Sequence, residues 1–303
     1  MRNRFHRVVK FGVLGLVLAL LGLTVPDSEV KPTDFLLVKM DRASTIDAGS
    51  RMIWILAVGS DARPGEDMTR TRGDALQMIG INTKTGAASA IGVPRDSYVS
   101  IPGAGSERVN AAMYYGGPQL LGETMGNLIG VQPDYVFVTG FRSFQRLLRH
   151  VGPIWVDNPV AFRDDYLKPK GFKEGNIRLG PYDAFVFGRI RYNLLRGDFD
   201  RSANQQRVLQ GIQAALARRA KQPGFIEGGV LKVMQNTQTD LPPSELFRLA
   251  HAVAQIDPAQ VTSCVVQGSI GNINGASVVL PFVDQARRLG DRARNDGTLE
   301  SCS

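Results

Sequence analysis

The residues best suited to chemistry gather between Arg189 and Gln206, which reads Arg-Ile-Arg-Tyr-Asn-Leu-Leu-Arg-Gly-Asp-Phe-Asp-Arg-Ser-Ala-Asn-Gln-Gln. Arg189 and Arg191 are two apart, so an extended backbone sends both side chains from one face. Gly197 and Asp198 break the chain, Asp200 is placed to N-cap a helix, and that helix opens on Arg201. Arg201 and Gln205, four apart, share one helical face. Guanidinium and amide donors beside a helix N-terminus suit a phosphate or diphosphate. Pairing with surface carboxylates is the other fate of an arginine-rich loop.

Three apolar runs upstream deliver further charged residues. Met52 to Val58 is a continuous apolar stretch of strand length, as expected for a central strand covered on both faces, and Gly59-Ser60-Asp61-Ala62-Arg63 follows it. Polar residues at the end of a buried strand are where α/β sheets hold ligands. Ala75–Ile81 and Ala87–Val93 are the next runs, joined hairpin-fashion by Asn82-Thr83-Lys84-Thr85-Gly86. Arg72-Gly73-Asp74 precedes the second strand, and Val93-Pro94-Arg95-Asp96 ends the third. Asp61 and Asp74 are hard oxygen ligands of the kind Mg²⁺ takes together with substrate phosphates, with Mn²⁺ an alternative ion. Turn or cap roles are the other reading of aspartates beside Gly or Ser.

The middle of the chain reads as helices and short strands. Asn110 to Gly130 carries two helical segments interrupted by Gly116-Gly117-Pro118, Tyr135–Thr139 a strand, and Arg142–His150 a helix with a basic outer face. Asn158 to Pro181 reads as a long loop. Helices are expected through Ala220, near Gly229–Gln235, over Ser244–Ala254 and over Pro281–Leu289, with strands at Val261–Val266 and Ser277–Leu280. Strands and helices intermix throughout, which argues for a single α/β domain.

The chain has 303 residues, 43% of them hydrophobic, enough for a sizeable core, and a formal net charge of +8. Its basic residues are mostly arginine, preferred where planar anions are gripped. Arg2, Arg4, Arg7 and Lys10 precede an apolar run ending at Val25. Counted from Val8 this run spans about 18 residues, or ~27 Å as a helix. Residues 1–25 are therefore read as a cytoplasmic basic tail and transmembrane anchor. Residues 26–50 read as a stem, 51–290 as the catalytic domain and 291–303 as a C-terminal tail. That topology puts the body outside the cytoplasmic membrane, which excludes nucleic acid as a partner despite the charge. Cys264 and Cys302 suit an oxidising compartment and are expected to pair, and the three scattered histidines give no zinc pattern.

Taken in order, Gly59-Ser60-Asp61-x-Arg63, Arg72-Gly73-Asp74, Pro94-Arg95-Asp96, Ile101-Pro102-Gly103, Asn110-Ala111-Ala112-x-x-x-Gly116-Gly117-Pro118, Arg189-x-Arg191 and Asp198-Phe199-x-Arg201-x-x-x-Gln205-Gln206 resemble the LytR-CpsA-Psr (LCP) family over about residues 52–290. Arg72-Gly73-Asp74-Ala75 stands where that family commonly has Arg-Ser-Asp-Thr. The resemblance implies a single α/β/α domain with a mixed central sheet behind one transmembrane helix. It also implies an enzyme of the wall side of the membrane that transfers a glycopolymer from a polyprenyl-diphosphate lipid to the muramic acid C6 hydroxyl of peptidoglycan. Asp61 and Asp74 would hold Mg²⁺, with one of them the base. Arg95, Arg189 and Arg191 would act at the reacting phosphates, joined in binding by Arg63, Arg72, Arg201 and Gln205. The polyprenyl chain needs an apolar groove, for which Phe185, Phe187 and Leu209 are candidates. A prenyl-diphosphate phosphatase and a non-catalytic wall-glycan binding or regulatory protein are the alternatives. Arabinogalactan, teichoic acid and capsular polysaccharide are the candidate polymers, and the Arg- and Ala-rich usage points to an actinobacterium with arabinogalactan.

Overall fold

The computed structural model describes residues 35–43, 51–63, 66–220, 222–225 and 237–302. The expected membrane anchor over 1–25 and the helix expected near 229–235 lie outside these residues. No helix among the described residues is long and apolar enough to cross a membrane. In chain order the elements are β1 (Phe35–Lys39), β2 (Met52–Ser60), β3 (Gly73–Asn82), β4 (Ala88–Gly92), β5 (Tyr98–Ile101), β6 (Gly105–Arg108), α1 (Ala111–Ile129), β7 (Tyr135–Gly140), α2 (Phe141–Val151), β8 (Ile154–Asn158), β9 (Phe162–Asp164), β10 (Lys168–Phe172), β11 (Gly175–Leu179), α3 (Pro181–Phe187), α4 (Asp198–Ala220), β12 (Thr237–Thr239), α5 (Pro243–Ala254), β13 (Val261–Val265), β14 (Gly268–Ile273), β15 (Ala276–Pro281) and α6 (Val283–Asp296).

Among the described residues, seven strands form the central sheet in the order β12-β1-β7-β2-β3-β4-β13. It is mixed, as expected: β2 runs parallel to β7 and antiparallel to β3. Alternate residues of β2 serve opposite layers. Trp54, Leu56 and Val58 pack with Met113, Leu121 and Met125 of α1 and with Ala286 and Leu289 of α6. Ile53 and Ile55 meet Leu246 and Leu249 of α5, whereas Ala57 and Gly59 face a cavity walled by α2, α3 and α4. The architecture is thus α/β/α. Helix α1 is broken where the sequence placed a break, at Gly116 and Gly117, the latter with φ 65° and followed by Pro118.

Three expectations need correction. The segment read as a stem contains β1, which pairs antiparallel with β7 and parallel with β12, so the folded body includes Phe35. Five residues are too few to show a period, and their partners lie far along the chain. Asn158–Pro181 is not a loop: β11 pairs with β8, and β10 with β9. Residues 291–303 are not a free tail either. α6 continues to Asp296, Leu299 is buried in the main core, and Cys302 is bridged to Cys264 of β13 as expected, with Cα atoms 5.3 Å apart.

Candidate functional site

Asp61 and Asp74 stand at one end of the antiparallel pair β2–β3. Gly59 faces Ala75 while Ser60 faces Gly73, so Asp74 is the extra residue of a β-bulge. A bulge re-aims a side chain. A Cβ at Gly73 would meet Val58 and Leu76 in the opposite layer, yet Asp74 and Ala75 both line the cavity. The chain then turns so that the Asp61 amide donates to the carbonyl of Arg72 at 3.1 Å. Although Asp61 is an exposed residue, partial withdrawal from water raises its carboxyl. The charge of Asp74 raises it further, against the lowering pull of Arg189, Arg95 and Arg63. The Asp61 carboxyl therefore feels the charge of Asp74.

Arg95 donates a hydrogen bond from Nη1 to Oδ1 of Asp74. Its backbone amide donates to Oδ2 of Asp198 at 3.1 Å, and Asp198 also pairs with the buried Arg201. Burial raises the Asp198 carboxyl and lowers the Arg201 guanidinium, each opposed by the charge of the other. Asp96 sits among three guanidiniums, 3.9 Å from Arg95 Nε and 3.7 Å from both Arg108 Nε and Arg191 Nη1. Asp96, Asp198 and Arg108 were not singled out from the sequence. Asp96 and Asp198 lie inside the quoted motifs, whereas nothing local to Arg108 marks it.

The extended backbone expected for Arg189 and Arg191 is not what forms. The amides of Arg189 and Ile190 both bond back to the carbonyl of Val186, continuing the turn of α3, and Ile190 is buried between the two arginines. Arg189 lines the cavity, its guanidinium 4.8 Å from the Phe141 ring and 5.6 Å from Phe185. Arg191 is not part of the lining. It turns to Asp96 and to Tyr192, whose hydroxyl accepts from Nη2 at 2.9 Å.

Helix α4 starts at Asp198, three residues before the expected opening, so Asp200 is not its N-cap. Asp200 instead accepts from the backbone amide and Nε of Arg196, each at 2.9 Å. Arg201 and Gln205 do share the cavity-facing side, as their spacing required. Gln205 is held by Nε2 donating to Gly188 O at 3.2 Å and by Oε1 accepting from Gln77 at 3.3 Å. The helix lies close on the sheet: a Cβ at Gly92 would come within 2.9 Å of Gln206 Nε2 and Gln77 Oε1. Arg63 and Arg72 are exposed and outside the cavity. The charge of Arg63 acts on Asp61, and Arg72 meets Asp61 through its backbone carbonyl.

The cavity has a volume of about 190 Å³. Phe137, Phe141, Phe144, Leu147, Phe185 and Leu209 give it apolar walls, and Asp74, Gln77, Thr139, Arg189, Arg201 and Gln205 are its polar members. Phe185 and Leu209 are lining, as considered from the sequence, whereas Phe187 is fully buried core. Such a shape accepts an amphiphile with an apolar body and an anionic head. Arg95 occupies only Oδ1 of Asp74, and no group of three or more His, Cys, Asp or Glu side chains gathers among the described residues. Asp61, which is not part of the cavity lining, and Asp74 are the carboxylates that would hold a divalent cation together with a bound phosphate.

Comparison with known proteins gives the lineage. The chain is 33% identical over 200 residues to the polyisoprenyl-teichoic acid–peptidoglycan teichoic acid transferase TagU of Bacillus anthracis, a match over 65% of this chain and 63% of that one. It therefore spans under two thirds of this relative's length. Among solved structures it resembles B. subtilis TagV, with a TM-score of 0.68 and 22% identity over 81% of this chain and 98% of that one. It also resembles the LytR-CPS2A-psr family protein YwtF (TagT) with bound octaprenyl pyrophosphate lipid, with a TM-score of 0.63 and 19% identity over 85% and 95% of the two chains. The model of the LytR_cpsA_psr family matches residues 30–294, nearly the whole described body, and the chain belongs to that family.

Proposed function

We propose that this protein is a phosphotransferase that moves a glycopolymer from a polyprenyl-diphosphate lipid onto peptidoglycan, in a membrane-anchored form facing the wall. The observation that carries this reading is Arg189, set where the apolar cavity meets the charged cluster and stacked on Phe141 and Phe185. A prenyl diphosphate changes from apolar tail to anionic head at that same boundary. The name of the B. anthracis relative and the lipid bound to TagT agree in substrate class.

In this reading the tail fills the cavity and Arg189, Arg201 and Gln205 grip the diphosphate oxygens, with Arg95 beside them. The muramic acid C6 oxygen attacks the phosphorus bound to the sugar. A new P–O bond forms, the bond to the outgoing polyprenyl phosphate breaks, and the hydroxyl proton passes to Asp61 or Asp74. Positioning and charge stabilisation dominate such transfers, which is why a preset guanidinium cluster is effective. A Mg²⁺ ion held by Asp61 and Asp74 would neutralise charge on the phosphates. The carboxylate less committed to the ion would be the better base.

Detergent-solubilised full-length protein, given polyprenyl-diphosphate glycan and peptidoglycan oligomers, should yield polyprenyl monophosphate and a new phosphodiester by mass spectrometry. EDTA should stop both. Release of phosphate with water as the only acceptor would make the protein a diphosphatase. Lipid binding with no turnover would make it a binding protein.

A further inference from the structure

We propose that the ring of Tyr192 is a stacking platform for a pyranose ring of the glycan at this site. The inference rests on the proposed function for the identity of that glycan, while the geometry of the platform stands on its own. Tyr192 is 79% exposed, and its ring and hydroxyl both contact the neighbouring Arg191. Its hydroxyl accepts from Arg191 Nη2 at 2.9 Å, and the Arg191 guanidinium lies 4.7 Å from the ring centroid. Arg191 is tied by Nη1 to Asp96 Oδ2 at 3.7 Å, and the same oxygen is 3.9 Å from Arg95 Nε. Arg95 in turn hydrogen-bonds Asp74, which lines the cavity. A chain of charged contacts therefore links an exposed aromatic ring to the centre that handles the phosphates. The hydrogen bond from Arg191, together with the charges of Arg191, Arg95 and Arg201, lowers the Tyr192 hydroxyl, which places that hydroxyl in the field of the same cluster.

Leaving an apolar ring in water is unfavourable unless something covers it. Tyrosine recurs at binding surfaces where one side of the contact is apolar and the other wet. Arg191 lies over the Tyr192 ring, and the residue still keeps 79% of its surface exposed. A pyranose ring matches an exposed aromatic face, with axial C–H groups for the ring and hydroxyls for the neighbouring guanidinium. The sugar carried by a diphosphate lies directly beyond the outer phosphate, and the attacking sugar must approach the same phosphorus, so the platform would serve one or the other.

The test uses full-length protein in detergent with three probes. These are a sugar-free prenyl diphosphate, the same lipid carrying one N-acetylhexosamine, and a muramyl oligosaccharide. Tyr192→Ala is expected to bind the sugar-free lipid as wild type does and to bind the sugar-bearing lipid about tenfold more weakly. If the platform serves the acceptor, KM for the muramyl oligosaccharide rises about tenfold instead and donor affinity is unchanged. Tyr192→Phe, which keeps the ring, should stay within about threefold of wild type for every probe. Equal loss for sugar-free and sugar-bearing lipid would show that Tyr192 only holds Arg191, which overturns the proposal. Unchanged behaviour of Tyr192→Ala towards both sugar probes would overturn it as well. Failure of the wild type to bind the sugar-free lipid counts against the proposed function, and the oligosaccharide arm then decides Tyr192 alone.

Discussion

Asp198 joins two parts of the site: one carboxylate takes the backbone amide of Arg95 at 3.1 Å and the guanidinium of Arg201. Arg201 is only 6% exposed, so its charge depends on that partner. Asp198→Ala should cost about 3–5 kcal/mol, because it leaves a buried cation unpaired. Asp198→Asn keeps an acceptor for the Arg95 amide and should lose about 1–3 kcal/mol. Urea denaturation followed by circular dichroism reads both, and wild-type midpoints in the two variants would show that the pair carries no stability.

Arg189 and Arg191 should separate functionally. Arg189→Lys keeps the charge and loses the planar fork that can take two phosphate oxygens. Losing one or two charged hydrogen bonds slows turnover about 10- to 1000-fold, with little change in melting temperature. Arg191→Lys alters a contact to Asp96 and Tyr192 outside the cavity, where a partly exposed pair contributes roughly 0–1 kcal/mol. Its effect on binding of sugar-free prenyl diphosphate should therefore be small. Equal losses in the two variants would mean that they grip the head group together.

Reducing the Cys264–Cys302 bridge releases the C-terminal segment from β13. The bridge closes a separation of 38 residues, for which chain entropy gives about 4 kcal/mol. Cys264→Ala/Cys302→Ala should melt well below wild type and, unlike wild type, be insensitive to dithiothreitol. Equal melting of wild type with and without dithiothreitol would show that the bridge contributes nothing.

Asp134 should give the stability a pH dependence. Its carboxylate accepts from the Trp54 amide at 2.8 Å, but burial pushes its pKa up from 3.8 to about 6. The folded state thus holds a proton that the unfolded chain gives up, so this contribution is largest below pH 4 and is lost as pH rises to about 6. After solvent screening the effect is about 1–2 kcal/mol. Asp134→Asn should flatten stability between pH 4 and 6 and be at least as stable as wild type at pH 7. A variant with the wild-type slope would assign the dependence to other groups.

Much of this protein is written locally. The apolar runs that became β2, β3, β4 and β7 need only composition and length to be recognised. The Gly-Gly-Pro break in α1 follows from backbone sterics, and the helical spacing of Arg201 and Gln205 is fixed by the 3.6-residue turn. The motif order, carried by the residues themselves, gave the family. Tertiary structure decided what depends on distant partners. Five residues of β1 become a strand only because β7 and β12 offer ladders on either side. The bulge that turns Asp74 into the cavity arises from the mismatch of two strands, which neither strand encodes alone. Arg189 and Arg191 part company because the turn after α3 bonds back to Val186 and buries Ile190 between them. Sequence determined which charged groups the protein owns. Long-range hydrogen bonding and burial determined which of them meet, because both depend on chain segments that spacing alone does not bring together.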